Sequence, residues 1–223
     1  MLLRLNIFMT NEHLHEVFAV PIWTAELPPV TDEEFEYIKN MEYIQHLRPT
    51  KRLHLTKNTY VIDSVPELAN IKQNIETAVN NYWHNVLCVQ SHLGLRTLHS
   101  WITKHGRDDF HPWHQDPNTL LSAIFYIKAP KNSGLLKFRK DLNYCNLFPN
   151  VMEMKYHTST AFNKREWSIT PKDNMLVVFP AHIEHHVSES ETDEERFALI
   201  IDYWPTGTLN NGQDNGDWDQ EIL

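Results

Sequence analysis

The chain has 223 residues, 41% of them apolar and 11% aromatic, which predicts a single globular domain over 1–223 with a sizeable hydrophobic core. The formal net charge of −9 does not favour nucleic acid as a partner, because phosphate binding needs clustered Lys and Arg. We expect a cytoplasmic protein without a membrane partner, since no apolar run approaches the roughly 20 residues that cross a bilayer and the opening MLLRLNIF is too short for a secretory signal.

Two amphipathic helices are predicted in the first part of the chain. The stretch TDEE at 31–34 has the spacing of a capping box, and apolar residues at three-residue steps then predict a helix over about 32–46. The stretch SVPE at 64–67 repeats the capping pattern, with a proline in the first turn. An apolar stripe continues from there and predicts a second helix over about 65–87. Both helices are expected to pack on the core.

After about residue 91 the sequence changes to short β-type runs separated by turn residues. These runs are LGLRTLHSWITKHG, LLSAIFYIKAP, GLLKFRK, NMLVVFPAH and RFALIIDYW. Several short strands without intervening helices are typical of a sandwich or jelly roll. The predicted fold class is therefore mainly β with N-terminal helices (α+β), with a helical part over about 1–90 and a β core over about 91–204. The tail 205–223 is polar, acidic and rich in Gly and Asn, which predicts that it is mobile at least in part.

Charge is distributed unevenly along the chain. Residues 128–166 contain eight Lys or Arg against three acids, whereas residues 183–223 contain eleven acids against one Arg. The basic segment is either a flap that faces an anion or an ordinary solvated loop.

A candidate metal-binding pair precedes one of the predicted strands. His114 and Asp116 form a His-x-Asp pattern, and in an extended chain residues i and i+2 point to the same face, roughly 7 Å apart. Further along, the stretch VVFPAHIEHHVSE offers three candidates for a third ligand, which are His182, His185 and His186. Two imidazoles and one carboxylate are the donor set typical of non-haem Fe(II), and three protein ligands leave coordination positions open.

An arginine opens the last β-type run. Strand alternation puts Arg196 on one face with Ala198, Ile200 and Asp202, whereas the intervening residues are apolar or aromatic. Burying a guanidinium on a strand whose first residues are otherwise apolar is costly unless the guanidinium binds an anion. The alternative is an arginine solvated at the strand end beside the acids at 194–195.

These motifs, taken in order, resemble a known family. The set is HQD at 114–116, then LSAIFYIKAP, SGLLKFR, FPAHIEHHV and ERFALIIDYW. It is similar to the Fe(II)/2-oxoglutarate-dependent oxygenases, and more narrowly to a prolyl-hydroxylase-like branch frequent in phage and bacterial genomes. The match spans about residues 98–204. The resemblance implies a double-stranded β-helix, which is a cupin-like jelly roll.

The resemblance also implies which residues hold the metal. It makes His114, Asp116 and His185 the catalytic ligands of Fe(II), and it leaves His182 and His186 at non-ligand positions. The chain, if phage-encoded, would be made in the host cytoplasm.

The co-substrate residues follow from the same resemblance. It implies that Arg196 pairs with the distal carboxylate of 2-oxoglutarate. It also implies that the hydroxyl of Tyr126 helps to bind that carboxylate. From its pattern alone Tyr126 is equally a core aromatic. The relatives carry a further tyrosine upstream of the His-x-Asp pair, where this chain has Trp101.

The implied activity is a dioxygenase that uses O₂ and 2-oxoglutarate, releases succinate and CO₂, and hydroxylates an amino-acid or peptidyl side chain. A small molecule or a peptide is thus the expected substrate. Two alternatives remain open. One is a non-catalytic cupin-like protein that binds a metal or ligand, since zinc accepts the same three ligands. The other is a nucleic-acid demethylase of the same superfamily that uses the basic segment.

Overall fold

The structure is a computed structural model, and it describes residues 19–45, 53–140, 155–160, 163–209 and 220–222. Within these ranges two antiparallel sheets face each other, and helices pack on the outside of the larger one. The predicted fold class, mainly β with N-terminal helices in a jelly roll, is confirmed. Among the described residues, no helix is long and apolar enough to cross a membrane.

The helical elements lie between residues 32 and 86. They are α1 (Asp32–Lys39), α2 (Val61–Ser64), a 3₁₀ turn (Pro66–Leu68), α3 (Ala69–Asn81) and a π-helical turn (Tyr82–Val86). The helix α3 buries an apolar stripe that contains Ile71, Ile75 and Val79. This stripe packs on the large sheet, as expected for a core-packing helix.

The large sheet has eight strands. They are β1 (Trp23–Glu26), β2 (Tyr43–Gln45), β3 (His54–Thr56), β4 (Gly94–His105), β6 (Leu121–Lys128), β9 (Met175–Pro180), β11 (Arg196–Leu209) and β12 (Gln220–Ile222). Their spatial order is β1-β9-β6-β11-β4-β3-β2, with β12 paired to β11. The first 90 residues thus contribute three strands to this sheet, which the prediction of a helical part over about 1–90 missed.

The small sheet has four strands. They are β5 (His111–His114), β7 (Leu136–Arg139), β8 (Glu166–Ile169) and β10 (His185–Val187), in the spatial order β5-β10-β7-β8. From β4 to β11 successive strands alternate between the two sheets, except for the adjacent pair β7 and β8. This alternation is the wiring of a double-stranded β-helix.

Strand alternation gives the large sheet two buried faces. On its outer face, odd-numbered residues of β6 and β11, such as Phe125 and Leu199, pack against the helices. On its inner face, even-numbered residues such as Tyr126 and Ala198 pack against Leu136 of the small sheet. Because a strand repeats every two residues, the inner face of β11 also carries its polar residues toward the small sheet.

The first helix is shorter than predicted. Thr31 and Glu34 form the expected capping box, but α1 ends at Lys39 and the chain then enters β2. Ile44, which the apolar spacing predicted to lie in the helix, instead lies in the strand β2 and is 44% exposed. Pairing of β2 with β3, a contact across the sequence, replaces the last helical turns.

The second helix forms, but its predicted cap is wrong. Val65 holds the cap position of the 3₁₀ turn, and Ser64 instead donates its hydroxyl hydrogen to the backbone of Tyr60. The proline sits at the start of that turn, as expected. The 3₁₀ turn, α3 and the π turn together cover most of the predicted range 65–87.

The C-terminal tail contains more structure than predicted. The strand β11 extends through Leu209, and β12 pairs with its end. Residues 210–219 lie outside the described residues, as do the opening MLLRLNIF and residues 141–154 of the basic segment.

Candidate functional site

The three side chains predicted as metal ligands lie together between the two sheets. His114 ends β5 and His185 begins β10, and the two residues are register partners in the small sheet. Asp116 lies two residues past β5. The Nε2 atom of His114 is 3.6 Å from Asp116 Oδ1, and Nε2 of His185 is 3.6 Å from Asp116 Oδ2. One ligand atom from each residue lies within 4.8 Å of the other two.

Both imidazoles are held by the backbone. His114 Nδ1 lies 2.8 Å from the carbonyl oxygen of Pro112, and His185 Nδ1 lies 3.0 Å from that of Ile183. A carbonyl only accepts hydrogen bonds, so each Nδ1 carries the hydrogen and each Nε2 keeps its lone pair. The lone pairs of both rings are therefore directed to the side where Asp116 lies, as metal ligation requires.

The aspartate is held from a different strand. Ser122 in β6 donates its hydroxyl hydrogen to Asp116 Oδ2 over 2.6 Å. The Asp116 backbone N–H donates to the carbonyl of Ala181, at the end of β9, over 3.1 Å. The large sheet thus fixes both the main chain and the carboxylate of Asp116.

The other two candidate histidines lie elsewhere. His182 is exposed, and its backbone carbonyl accepts a hydrogen bond from Gln115 Nε2 over 2.7 Å. His186 points to the opposite face of β10 from His185, and its ring packs 4.6 Å from the ring of Trp113. Burial lowers the pKa of His186. Neither imidazole belongs to the cluster of three.

Arg196 is buried on the inner face of β11, not solvated at a strand end, so the alternative of a solvated strand-end arginine is wrong. Its side chain is 2% exposed. The Nη1 atom donates to the backbone carbonyl of Ser133 over 2.8 Å, and Nη2 donates to His105 Nδ1 over 2.6 Å. Burial lowers the pKa of Arg196. In the part of the chain that the structure describes, no carboxylate lies within 4.0 Å of the guanidinium.

Among the described residues, three buried polar atoms on or beside Arg196 have no hydrogen-bond partner. They are the Nε atom of Arg196, the hydroxyl of Tyr126 and the hydroxyl of Ser133, whose carbonyl accepts from Arg196. Tyr126 lies in β6 opposite Ala198, and its ring centroid is 5.9 Å from the guanidinium carbon. Burial raises the pKa of Tyr126 to about 12, with Arg196 opposing the shift, so the hydroxyl keeps its hydrogen at neutral pH. The buried region around Arg196 therefore contains donors without a partner.

The comparisons with known proteins agree with this geometry. Residues 99–202 match the family described as "Putative 2OG-Fe(II) oxygenase". The match covers most of the β core of this chain. No functionally curated protein matches the chain.

Solved structures share the fold of this chain at low sequence identity. A prolyl-4-hydroxylase from Pseudomonas putida is 11% identical with a TM-score of 0.55, and the match covers 82% of this chain and 92% of that chain. HygX from Streptomyces hygroscopicus, solved with nickel, 2-oxoglutarate and hygromycin B bound, is 11% identical with a TM-score of 0.56 and 82% coverage of both chains. The epimerase SnoN from nogalamycin biosynthesis is 14% identical with a TM-score of 0.55, covering 89% of this chain and 88% of that chain.

The residues of the β core could hold a divalent metal and a carboxylate. Separations of 3.6 Å between nitrogen and carboxylate oxygen are shorter than twice a metal–ligand bond of about 2.1 Å, so one ion can contact both atoms. At the other end, the unpartnered Nε of Arg196 and hydroxyl of Tyr126 are donors that a carboxylate would satisfy.

Two residues near the predicted site were missed by the sequence analysis. Ser122 donates to Asp116, and His105 contacts Arg196. Alternation along LSAIFYI puts Ser122 and Tyr126 on one face, and this is the signal that could have found Ser122. Trp101 lies on the inner face opposite Ile200.

A tryptophan also shares the face of the metal ligands. His185 is the register partner of Phe138, and Phe138 is the register partner of Trp167 on the edge strand β8. Register partners point to the same side of a sheet, so the exposed indole of Trp167 continues a row that begins at His114.

The described part of the basic segment is largely engaged in contacts with other residues. Lys128 pairs with Asp173, and Arg139 pairs with Glu184. Lys164 lies over the ring of Trp167. These three cations therefore contact nearby side chains of the same chain. The prediction of an anion-facing flap depends also on residues 141–154, which the structure does not describe.

A second buried acid lies beside the ligand aspartate. Asp202 is the register partner of Ser122 on the inner face, and its side chain is 7% exposed. Burial and the nearby charge of Asp116 raise its pKa from 3.8 to about 7, although the Ser122 hydroxyl opposes the shift. The folded state therefore binds this proton more tightly than the unfolded state. As a result, the protonated carboxyl adds to the free energy of unfolding at low pH, and this contribution is lost as the pH rises through about 7.

Replacing Asp202 by Asn is expected to stabilise the metal-free protein at pH 8. Because an amide has no carboxyl pKa, the gain should be a few kcal/mol at pH 8 and should shrink toward pH 4. Urea unfolding in the presence of a chelator, repeated across this pH range, measures it. The exposed Asp193, whose pKa is lowered by Arg107, provides the control variant Asp193→Asn, which should give no such gain. Equal pH slopes for wild type and Asp202→Asn would contradict the prediction.

Proposed function

We propose that the chain is an Fe(II)- and 2-oxoglutarate-dependent dioxygenase, formed by residues 1–223 as one domain. In this proposal His114, Asp116 and His185 hold Fe(II), and Arg196 with Tyr126 holds the distal carboxylate of 2-oxoglutarate. The proposed substrate is a small molecule or a peptide, which is hydroxylated on an amino-acid side chain.

The observation that carries the proposal is the buried guanidinium of Arg196. A buried cation without an ionic partner is costly, and its cost is removed when a carboxylate binds. The three clustered ligand atoms lie in the same two-sheet core as Arg196, which supports a metal site combined with a carboxylate anchor. A protein that only holds a structural metal has no need of such an anchor.

The proposed division of labour follows from what each side chain can do. When bound, Fe(II) and 2-oxoglutarate supply the oxidising chemistry that uses O₂ and yields succinate and CO₂. The chain supplies orientation. His114 and His185 present Nε2 lone pairs fixed by backbone carbonyls, and Asp116 presents a carboxylate fixed by Ser122.

Burial contributes the second part of the mechanism. The guanidinium of Arg196 and the hydroxyl of Tyr126 are enclosed by apolar side chains of both sheets, such as Leu136 and Val177. A charge-assisted hydrogen bond is stronger where water is excluded, so these donors would fix the orientation of the co-substrate.

Hydroxylation is the finer part of the proposal. It is supported by the resemblance of the motifs to a prolyl-hydroxylase-like branch and by the shared fold with a prolyl-4-hydroxylase. The same fold also serves an epimerase, so the reaction type must be tested on the product. A nucleic-acid demethylase is less well supported, because Lys128 and Arg139 of the basic segment are paired with acids.

The test is a turnover assay with purified protein, Fe(II), O₂ and 2-oxoglutarate. We expect succinate to form and to require both metal and O₂. In the presence of a panel of free amino acids and peptides, we expect one class to raise succinate formation and to gain one oxygen atom by mass spectrometry. A protein that binds metal but neither binds nor converts 2-oxoglutarate would favour the cupin-like binding protein. A stimulating substrate that changes without gaining oxygen would contradict hydroxylation alone.

A further inference from the structure

Ser122 is a buried hydroxyl in an otherwise apolar strand. It lies in β6, where its immediate neighbours are Leu121 and Ala123, and its side chain is 0% exposed. A buried hydroxyl needs a hydrogen-bond partner to offset the loss of water. The partner here is Asp116 Oδ2, 2.6 Å away, in the segment between β5 and β6.

We propose that Ser122 is a positioning residue that sets how Asp116 binds the metal, an inference that rests on the proposed function. A carboxylate has two oxygens and can bind a metal through one or both. The hydroxyl of Ser122 donates to Oδ2, which lies 3.6 Å from Nε2 of His185, while Oδ1 lies 3.6 Å from Nε2 of His114. The hydrogen bond therefore holds the carboxylate in the rotation that keeps an oxygen close to each imidazole nitrogen, where a metal would bind.

The surroundings of Ser122 hold its hydroxyl in place. Its register partners on the inner face are Asp202 in β11 and Phe179 in β9. The ring of Phe179 packs edge-on against the ring of His185, with centroids 4.8 Å apart. The serine therefore lies in the layer that contacts the metal ligands, and it is fully buried there.

Asp202 is a second carboxylate close to the hydroxyl of Ser122. It is a second buried acid in this layer, and its Oδ1 has no hydrogen-bond partner. Ser122 lies between the carboxylates of Asp202 and Asp116, and its hydrogen is donated to the ligand. Removing the hydroxyl would leave Asp116 Oδ2 without this hydrogen bond and the carboxylate free to rotate.

The experiment is a titration of Co(II) into the full chain under conditions free of 2-oxoglutarate and substrate. We expect Ser122→Ala to bind Co(II) about 10- to 100-fold more weakly than wild type, the range typical for loss of a hydrogen-bond partner of a metal ligand. The visible absorption of bound Co(II) should also change, because its intensity depends on coordination number and geometry.

Ser100→Ala is the matched control. Ser100 is equally buried in the large sheet, but its hydroxyl accepts from the backbone N–H of Ile62 over 2.9 Å, on the helix side. This variant should bind Co(II) within about twofold of wild type. Thermal unfolding of both metal-free variants separates a loss of stability from a loss of positioning. The inference requires that Ser122→Ala lose metal affinity without unfolding more readily than Ser100→Ala.

The outcomes distinguish this inference from the proposed function. If wild type binds Co(II) and Ser122→Ala binds equally tightly with an unchanged spectrum, Ser122 has no positioning role, and the oxygenase proposal stands. If wild type binds no divalent metal, the proposed metal centre itself is wrong, and the inference about Ser122 is wrong with it.

Discussion

Replacing His185 by Ala is expected to abolish Fe(II) binding at micromolar metal, and His114→Ala or Asp116→Ala should do the same. Their ligand atoms form the cluster within 4.8 Å. In zinc-finger peptides the whole set of ligands binds the metal with about 10–16 kcal/mol. Losing one of three ligands should therefore cost on the order of 4 kcal/mol, which is about a thousandfold in affinity. Anaerobic titration of Fe(II) or Co(II) measures this.

The two neighbouring histidines supply matched controls on the same short segment. His182 is exposed, and His186 packs on Trp113 on the other face of β10. We expect His182→Ala and His186→Ala to bind metal within a few-fold of wild type. If either variant lost metal while His185→Ala kept it, the ligand assignment would be wrong.

The second large effect is expected at Arg196. Arg196→Ala should weaken 2-oxoglutarate binding by roughly 30-fold or more, since truncating one partner of a buried charge pair costs about 2–5 kcal/mol. Metal affinity should barely change, because the guanidinium is not a ligand. Arg196→Lys keeps the charge but lacks the planar fork, so its loss should be intermediate. Tyr126→Phe removes one hydrogen bond and should cost about 1 kcal/mol.

The measurement is a titration of 2-oxoglutarate into the anaerobic Fe(II) protein, followed through the visible charge-transfer absorption that chelation of Fe(II) produces. Arg139→Ala is the control, because Arg139 pairs with Glu184 and lies over the ring of Trp113 on the outer side of the small sheet. It should bind 2-oxoglutarate as wild type does. Unchanged binding by Arg196→Ala, or no absorption change with wild type at millimolar 2-oxoglutarate, would favour the cupin-like binding protein.

Both predictions depend on residues that strand alternation in the sequence correctly placed on a common face. Alternation along β11 put Arg196 and Asp202 on one face, and the same rule placed His114 and Asp116 on one side of an extended segment. These rules work because side-chain direction in a strand depends only on the backbone of that strand. The general β-rich architecture followed from the same local signals and is confirmed.

The failures arose where a distant pairing competed with a local preference. The apolar step from Ile38 to Ile44 suits a helix, yet α1 ends at Lys39 because the next residues pair with β3. The capping pattern at 64–67 has the right spacing, but Val65 holds the cap position, and the Ser64 hydroxyl donates to the backbone carbonyl of Tyr60. Periodicity describes one segment, and it does not report which other segment is available to pair with it.

The sequence by itself determined the chemistry that this protein has available: two imidazoles and a carboxylate in strand-like segments, a lone arginine on a largely apolar strand face, and enough β-type runs for a jelly roll. Residue types and spacing left three histidines open, and the family resemblance implied His185. Only the tertiary structure shows why, since pairing of β5 with β10 brings His185 to His114 and leaves His186 on the other side. It also decided that Ser122 supports Asp116 and that Arg196 is buried. The physical reason is that these contacts join strands far apart in the chain, and their register is set by packing of the whole core, not by any local stretch.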